Sequence, residues 1–402
     1  MLALAIFAAT YLVLAIGRFP GLRIDRTGAA IVGASLMVAS GALRFDQALR
    51  AIDWSTLVLL LGMMIVVANL RLSGFFRLAA ARVVLHAHSP RLLLAGTVAV
   101  SGFFSAFFVN DTMCLVLTPL ILQVTLALRR NPVPYLLAVA MASNAGSAAT
   151  ITGNPQNMMI GALSGIPYRS FLAALAPVAL VSLVLTWLVL TLVFRAEFNH
   201  DRFTPDPSLR VRVNRPLMWK SLTVAAAMVA FFFAGYPVAQ VAIVAGALLL
   251  VTRRVKPEKV YHDIDWPLLA LFAGLFVVVR GVETTSLERD VLHLAEGSPL
   301  DRPAVLTLFS AILSNLVSNV PAVLVFKPIV ARLTDPAGAW LTLAMSSTLA
   351  GNFTILGSVA NLIVVQRARP GVHISFSDYF KAGAPLTLLS LAFGAAWLTW
   401  VR

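Results

Sequence analysis

Charge and sulfur are both scarce in this sequence. Only 12% of its 402 residues are charged, where a soluble domain carries about a quarter. A lone cysteine, Cys114, excludes an intrachain disulfide and any cysteine cluster for zinc or iron–sulfur. The six histidines show no metal-binding spacing such as His-Glu-x-x-His, so no metal and no cofactor is expected. No nucleophile–base pair stands out, which argues against an enzyme. Acidic residues are the rarer sign, 17 against 31 Lys and Arg, for a net charge of +14. No basic run is interleaved with aromatics on a polar face, which argues against nucleic acid.

What is present is hydrophobic: 59% of the residues, much of it in uninterrupted runs. Runs of about 20 apolar residues read as membrane spans. The pattern predicts an all-α polytopic membrane protein, with spans near 1–17, 28–43, 54–70, 134–162, 171–194, 217–233, 237–252, 266–281, 338–365 and 383–400. The run 1–17 lacks the basic start and small-residue cleavage site of a signal peptide, so it reads as the first span. Residues 73–89 read as an interfacial amphipathic helix.

Two further apolar segments, 91–129 and 303–333, carry a polar break at mid-length: Asn110-Asp111-Thr112 and Ser318-Asn319. Each is either two marginal spans or a re-entrant hairpin. The polar tips favour hairpins, because irregular backbone is tolerated at depth only where it is buried or lines a cavity. With both N- and C-termini outside, Arg18, Arg23, Arg26, Arg71, Arg77, Arg82, Arg91, Arg129 and Arg130 fall inside. So do the linker and Arg253, Arg254, Lys256, Lys259, Arg367, Arg369 and Lys381. The acidic stretch with Glu283, Glu288, Asp290, Glu296 and Asp301 falls outside, in keeping with the positive-inside rule.

The chain repeats itself. Ile52-Asp53-Trp54 returns as Ile264-Asp265-Trp266, Gly62 as Gly274, and Asn110 as Asn319. Thr150 to Gly153 with Asn157 returns as Thr354 to Gly357 with Asn361. This divides the chain into repeat 1 (1–195), a cytoplasmic linker (196–216) and repeat 2 (217–402). Each repeat holds about five crossings, ten in all, plus a hairpin (91–129 or 303–333) and a helix broken by Gly and Pro (134–162 or 338–365). Five is odd, so the repeats are expected to lie inverted. Inverted repeats with broken helices and a midplane site mark secondary transporters.

The expected substrate residues are the polar ones at these interruptions: Asn110, Asp111, Thr112, Ser147, Thr150, Thr152, Asn154, Asn157, Ser318, Asn319, Asn352, Thr354, Ser358 and Asn361. Single Ser, Thr or Asn residues in a span usually act as glue between helices. Clusters matched across two repeats point instead to a site. Each break restarts a helix whose N-terminus carries partial positive charge, which suits an anion or an oxygen-rich neutral solute. Asp111 is the one carboxylate deep in an apolar segment. Intramembrane acids are functional candidates, so it is the expected site for a coupling proton or cation. An N-cap role suits Asp equally. Its counterpart, Val320, cannot titrate. Asp53 and Asp265 read as helix caps, Arg280 as a snorkelling or cavity-facing residue, and Cys114 as a small core residue.

Ser105 to Pro119, with its Asn-Asp tip leading into Leu-Thr-Pro, resembles the bacterial arsenite permease family. So do Ser73 to Phe76, Ser318 to Pro321, Ile355 to Ser358 and Asp378 to Lys381. Gly153-Asn-Pro-Gln-Asn157 is more similar to the Gly-x-Pro-x-Asn run of citrate and dicarboxylate carriers, whose Ser-Asn-Thr tips are absent here. The resemblance covers essentially the whole chain. It implies the ion transporter superfamily, a substrate site at hairpin tips and broken helices, and elevator-like alternating access. It also leaves open a homodimer and a soluble ATPase partner. In the bacterial inner membrane, the leading expectation is arsenite or antimonite efflux coupled to protons or membrane potential. A sodium-coupled carrier of an organic or inorganic anion and a sodium/proton antiporter are the alternatives.

Overall fold

A computed structural model describes residues 2–16, 24–199, 212–251, 255–283, 299–369 and 371–401. Arg18, Arg23, Arg253, Arg254, Glu288, Asp290, Glu296 and most of the linker 196–216 lie outside these residues.

The first half runs α1 (Leu2–Ile16), α2 (Arg26–Ala39), α3 (Phe45–Ala51), α4 (Trp54–Ser73), α5 (Phe75–His86), α6 (Pro90–Phe107), α7 (Asn110–Ala127), α8 (Pro132–Ser147), α9 (Pro155–Ser164) and α10 (Tyr168–Val193). A short α11 (Arg195–Phe198) leads to the linker. The second half runs α12 (Arg215–Phe233), α13 (Val238–Leu250), α14 (Pro257–Tyr261), α15 (Trp266–Glu283), α16 (Pro303–Val317), α17 (Asn319–Val330), α18 (Pro336–Ala350), α19 (Val359–Ala368) and α20 (Phe376–Val401). Apart from α5, the order of long and short helices among the described residues occurs twice.

Helix starts follow local chemistry. Proline occupies the first turn of α6, α8, α9, α12, α16 and α18, where its missing N–H costs nothing. Asp25, Ser89, Asn131, Asn154 and Asp335 accept backbone N–H bonds as caps. Asp53 accepts from Thr56 N at 2.7 Å and Asp265 from Leu268 N at 3.0 Å, so both are caps. The adjoining Trp54 and Trp266 are exposed.

Among the described residues, seven helices are long and apolar enough to cross a membrane: α4, α6, α7, α10, α12, α15 and α20. The runs expected to span at 28–43 and 237–252 hold helices of only 14 and 13 residues. Helix α2 ends at a turn in which Gly41 takes φ +74°. At 1.5 Å per residue such helices reach roughly 20 Å, short of the ~30 Å hydrocarbon core.

Two sets of helices are apparent. In one, α4 packs on α13 and α15 on α2, with α1 and α12 alongside. The close crossings use matched residues. A Cβ on Gly62 would lie 2.5 Å from the Ala242 carbonyl carbon, and one on Gly274 2.7 Å from the Ala30 oxygen. In the other set, α6 and α7 form one helical hairpin and α16 and α17 another, each packed on a central helix, α8 or α18. Nearly every side chain of α8 and α18 is buried.

Candidate functional site

Four helix beginnings meet at one place. Hairpin α6–α7 turns at Phe108 and Val109, and α16–α17 turns at Ser318. Neither turn is capped by a side chain, and Val109 and Ser318 take φ +25° and +79°. That conformation is uncommon for a residue with a Cβ. The breaks between α8 and α9 and between α18 and α19 lie opposite. Asn110 N–H donates to Gly153 O at 2.9 Å, tying the first tip to the first break.

The breaks are held by matched asparagines. Asn157 Nδ2 donates to Ser147 O (3.1 Å) and Thr150 O (2.9 Å). Asn361 Nδ2 donates to Gly351 O (2.7 Å) and Thr354 O (3.0 Å). Breaking a buried helix exposes carbonyls that must find donors, and one amide at a fixed distance along the chain supplies them each time.

Two central residues then join the halves. Asn144, on α8, donates from Nδ2 to Asn352 Oδ1 (2.9 Å) and Asn361 Oδ1 (3.1 Å). Its Oδ1 accepts from Asn110 Nδ2 (3.0 Å) and Ser358 Oγ (3.1 Å). Thr348, on α18, accepts from Asn154 Nδ2 (3.2 Å) and Gln156 Nε2 (3.1 Å). Each central helix thus bonds to the break of the other half.

Beside this network lies a cavity of about 80 Å³. Its polar lining is Asn110 and Asp111 at the start of α7, Gln156 in α9, Ser318 and Asn319 at the second tip, Ser358 before α19, and Arg26 on α2. The first residues of α7, α9, α17 and α19 all reach it, so four partial positive charges converge there. Asn110 is buried, and its Oδ1 has no hydrogen-bond partner. Among the described residues, no side-chain hydrogen bond or ion pair engages Asp111 or Arg26.

Of the residues expected from sequence, Asn110, Asp111, Ser318, Asn319 and Ser358 line the cavity. Thr112 sits in the first turn of α7, its N–H donating to Val109 O at 3.1 Å. Asp111 is not an N-cap; it stands one residue inside α7, and Val109 holds the cap position. Asn154 caps α9 through Asn157 N–H at 2.9 Å. Ser147 bonds back to Asn144 O and receives Asn154. Thr150 donates to Ala106 O, and Thr152 pairs with Tyr168 Oη at 3.0 Å. Asn352 donates to Met141 O at 3.1 Å, and Thr354 contributes its carbonyl to Asn361. These groups, with Asn157 and Asn361, shape the wall. Arg280 does not reach the cavity; it is half-exposed and pairs with Glu283 at 3.0 Å. Cys114 is buried in the core.

Not among the residues expected to contact substrate are Asn144 and Thr348, which join the halves, and Gln156 and Arg26, which line the cavity. Gln156 lies inside a run already marked by its Gly and Pro. Arg26 reads as one more loop arginine until its counterpart in the second half, the apolar Val238, is noticed.

The model of the citrate transporter family (CitMHS) matches residues 11–350. The chain belongs to this family. An uncharacterized transporter of Mycobacterium bovis is 31% identical over 425 residues, covering 100% of this chain and 98% of that protein. The silicon efflux transporter LSI3 of Oryza sativa subsp. japonica is 31% identical over 450 residues, covering 93% and 92%. The crystal structure of the YdaH transporter of Alcanivorax borkumensis shares the fold, with a TM-score of 0.63 at 15% identity, over 100% of this chain and 96% of that one. The family and the apolar helices together make this a multi-pass membrane protein of a transporter family.

Proposed function

We propose that this chain is a secondary active transporter that exports a small, uncharged, hydroxyl-rich metalloid acid, arsenite or antimonite, from a bacterial cell. The observation that carries the reading is the cavity. At about 80 Å³, against the roughly 10–15 Å³ that one water needs, it admits a solute of a few heavy atoms. Its lining supplies an acceptor at Asp111 and donors at Arg26, Gln156 and Ser318, as a trihydroxide with both O–H groups and lone pairs requires. One relative is named as a silicon efflux transporter, and silicon, like arsenic, is a metalloid.

Coupling is assigned to Asp111, which takes and releases a proton as it moves with its hairpin. The doubled element order, with α2 on α15 and α13 on α4, supports two repeats lying inverted in the membrane. Arg71 paired with Asp263, and Ser73 O bonded to Asn214 N–H, bring the end of α4, the start of α12 and the entry to α15 to one face, as a cytoplasmic linker requires. On this reading both termini lie outside the plasma membrane. The hairpins and broken helices move, elevator-like, against the set built on α2, α4, α13 and α15. The sodium-coupled anion carrier remains the second reading, because four helix N-termini and Arg26 favour negative charge.

The test is arsenite flux in proteoliposomes, with and without a proton gradient, with sodium present or absent, and with Asp111→Asn alongside. Proton-dependent, sodium-independent flux that Asp111→Asn abolishes is expected. Absence of arsenite flux from folded protein under every gradient would refute the reading and turn attention to small anions with sodium.

A further inference from the structure

Two of the residues lining the cavity are charged, and each stands where the other half has an apolar residue. Asp111 stands where the second half has Val320, and Arg26 stands where it has Val238. Both departures fall in the first half, on different helices, and both side chains line the same 80 Å³ cavity. Tyr11 Oη donates to the carbonyl of Pro321, one of the lining residues, at 3.1 Å. Asp111 is the second residue of α7, part of a hairpin. Arg26 begins α2, which packs on α1 and α15. No ion pair joins them, and none of the described residues offers either a counter-charge in direct contact.

A lone charge in a largely apolar lining is costly, and a separated pair across a void is the arrangement that an intervening dipolar solute satisfies. We propose that Arg26 is a cargo-contacting specificity residue. Its guanidinium balances the Asp111 carboxylate across the cavity, so that the site admits an uncharged hydroxylated solute and rejects oxyanions. The neutral solute donates O–H to Asp111 and accepts from Arg26, leaving the charge balance intact. A monoanion of similar size would gain the same guanidinium contact but would lie against the carboxylate, and like charges in contact repel. Removing the carboxylate alone leaves a guanidinium and four helix N-termini facing the void, which is the recipe for an oxyanion site. Because Arg26 sits on the α2 set and the other polar lining on the hairpins and broken helices, this contact exists only while the cavity faces α2.

The inference rests on the reading of this cavity as the cargo site, but its test needs no arsenite. Purified full-length wild type, Asp111→Asn, Arg26→Gln and the double variant are titrated with inorganic phosphate. Binding is read as thermal stabilisation, with chloride at matched ionic strength as the control. The Asp111→Asn protein is expected to bind phosphate about tenfold or more tightly than wild type. Adding Arg26→Gln should remove that gain, and Arg26→Lys in the same background should keep part of it, as a charge without the bidentate fork does. The proposal is overturned if folded Asp111→Asn protein binds phosphate no better than wild type. It is equally overturned if the gain survives Arg26→Gln. A failed arsenite flux assay with this pattern intact would refute the cargo and leave the role of Arg26 standing.

Discussion

Asn157 and Asn361 occupy the same place in the two halves and make the same pair of bonds. Each donates its side-chain amide to the carbonyls ten and seven residues before it, within 3.1 Å. Both amides are spent on the backbone that the broken helices expose.

Replacing either by alanine leaves two buried carbonyls without a donor. At about 1–3 kcal/mol for each unsatisfied group, Asn157→Ala and Asn361→Ala should each lower the melting temperature of detergent-purified protein by several degrees. Replacement by Asp should be at least as harmful, since a carboxylate turned on two carbonyls has nothing to donate. Unchanged melting in all four variants would show that the breaks are held by something else.

Asn144 joins Asn110, Asn352, Ser358 and Asn361. Because Asn361 shares a bond with it, Asn144→Ala and Asn361→Ala should not be additive. A double-mutant cycle in chemical denaturation is expected to show a coupling of about 0.5–3 kcal/mol. Additivity within error would mean that the two amides act separately.

Helix crossings without Cβ atoms leave no room for one. Gly62→Ala and Gly274→Ala place a carbon 2.5 Å and 2.7 Å from backbone of the facing helix. Overpacking of this kind costs about 1–3 kcal/mol, and the helices must separate to accept it. Gly246→Ala, whose Cβ would lie 3.3 Å from Gly62 O, is the milder control. The check is expression and melting of the three variants side by side. Equal behaviour would argue that the crossings are not tight.

Glu197 is buried between Arg130 (2.8 Å) and Tyr135 Oη (3.0 Å), where the α7–α8 connection meets α11. Removing one partner of a buried pair strands the other and costs about 3–5 kcal/mol. Arg130→Ala should therefore destabilise strongly, and Arg130→Ala/Glu197→Gln should recover part of the loss. A double variant no better than the single one would place the effect in lost packing of the arginine stem.

Apolar run lengths sufficed to show a polytopic helical protein, because the bilayer imposes about 20 residues on any helix that crosses it alone. Polar interruptions at Asn110-Asp111 and Ser318-Asn319 marked the tips, because polar groups at that depth need a reason. The matched motifs, separated by similar distances along the chain, pointed to the helix order that recurs among the described residues. Helix length was less legible. Helices α2 and α13 proved shorter than their apolar runs, because a run of apolar residues does not say where a turn such as that at Gly41 will stop it.

Sequence by itself determined the class of protein and the list of polar residues from which a site is built. Both follow from the cost of placing polar groups in hydrocarbon, which composition alone reveals. Tertiary structure decided which of those residues face the void. Asn157, Asn361 and Thr150 turn to backbone carbonyls, Asn144 and Thr348 tie one half to the other, and Arg26 comes from a distant helix to stand at the cavity with Asp111. Asparagine and threonine carry the same donors and acceptors whether they brace a break or line a cavity. Only the positions of their neighbours separate the two uses, and those neighbours lie up to 217 residues apart along the chain.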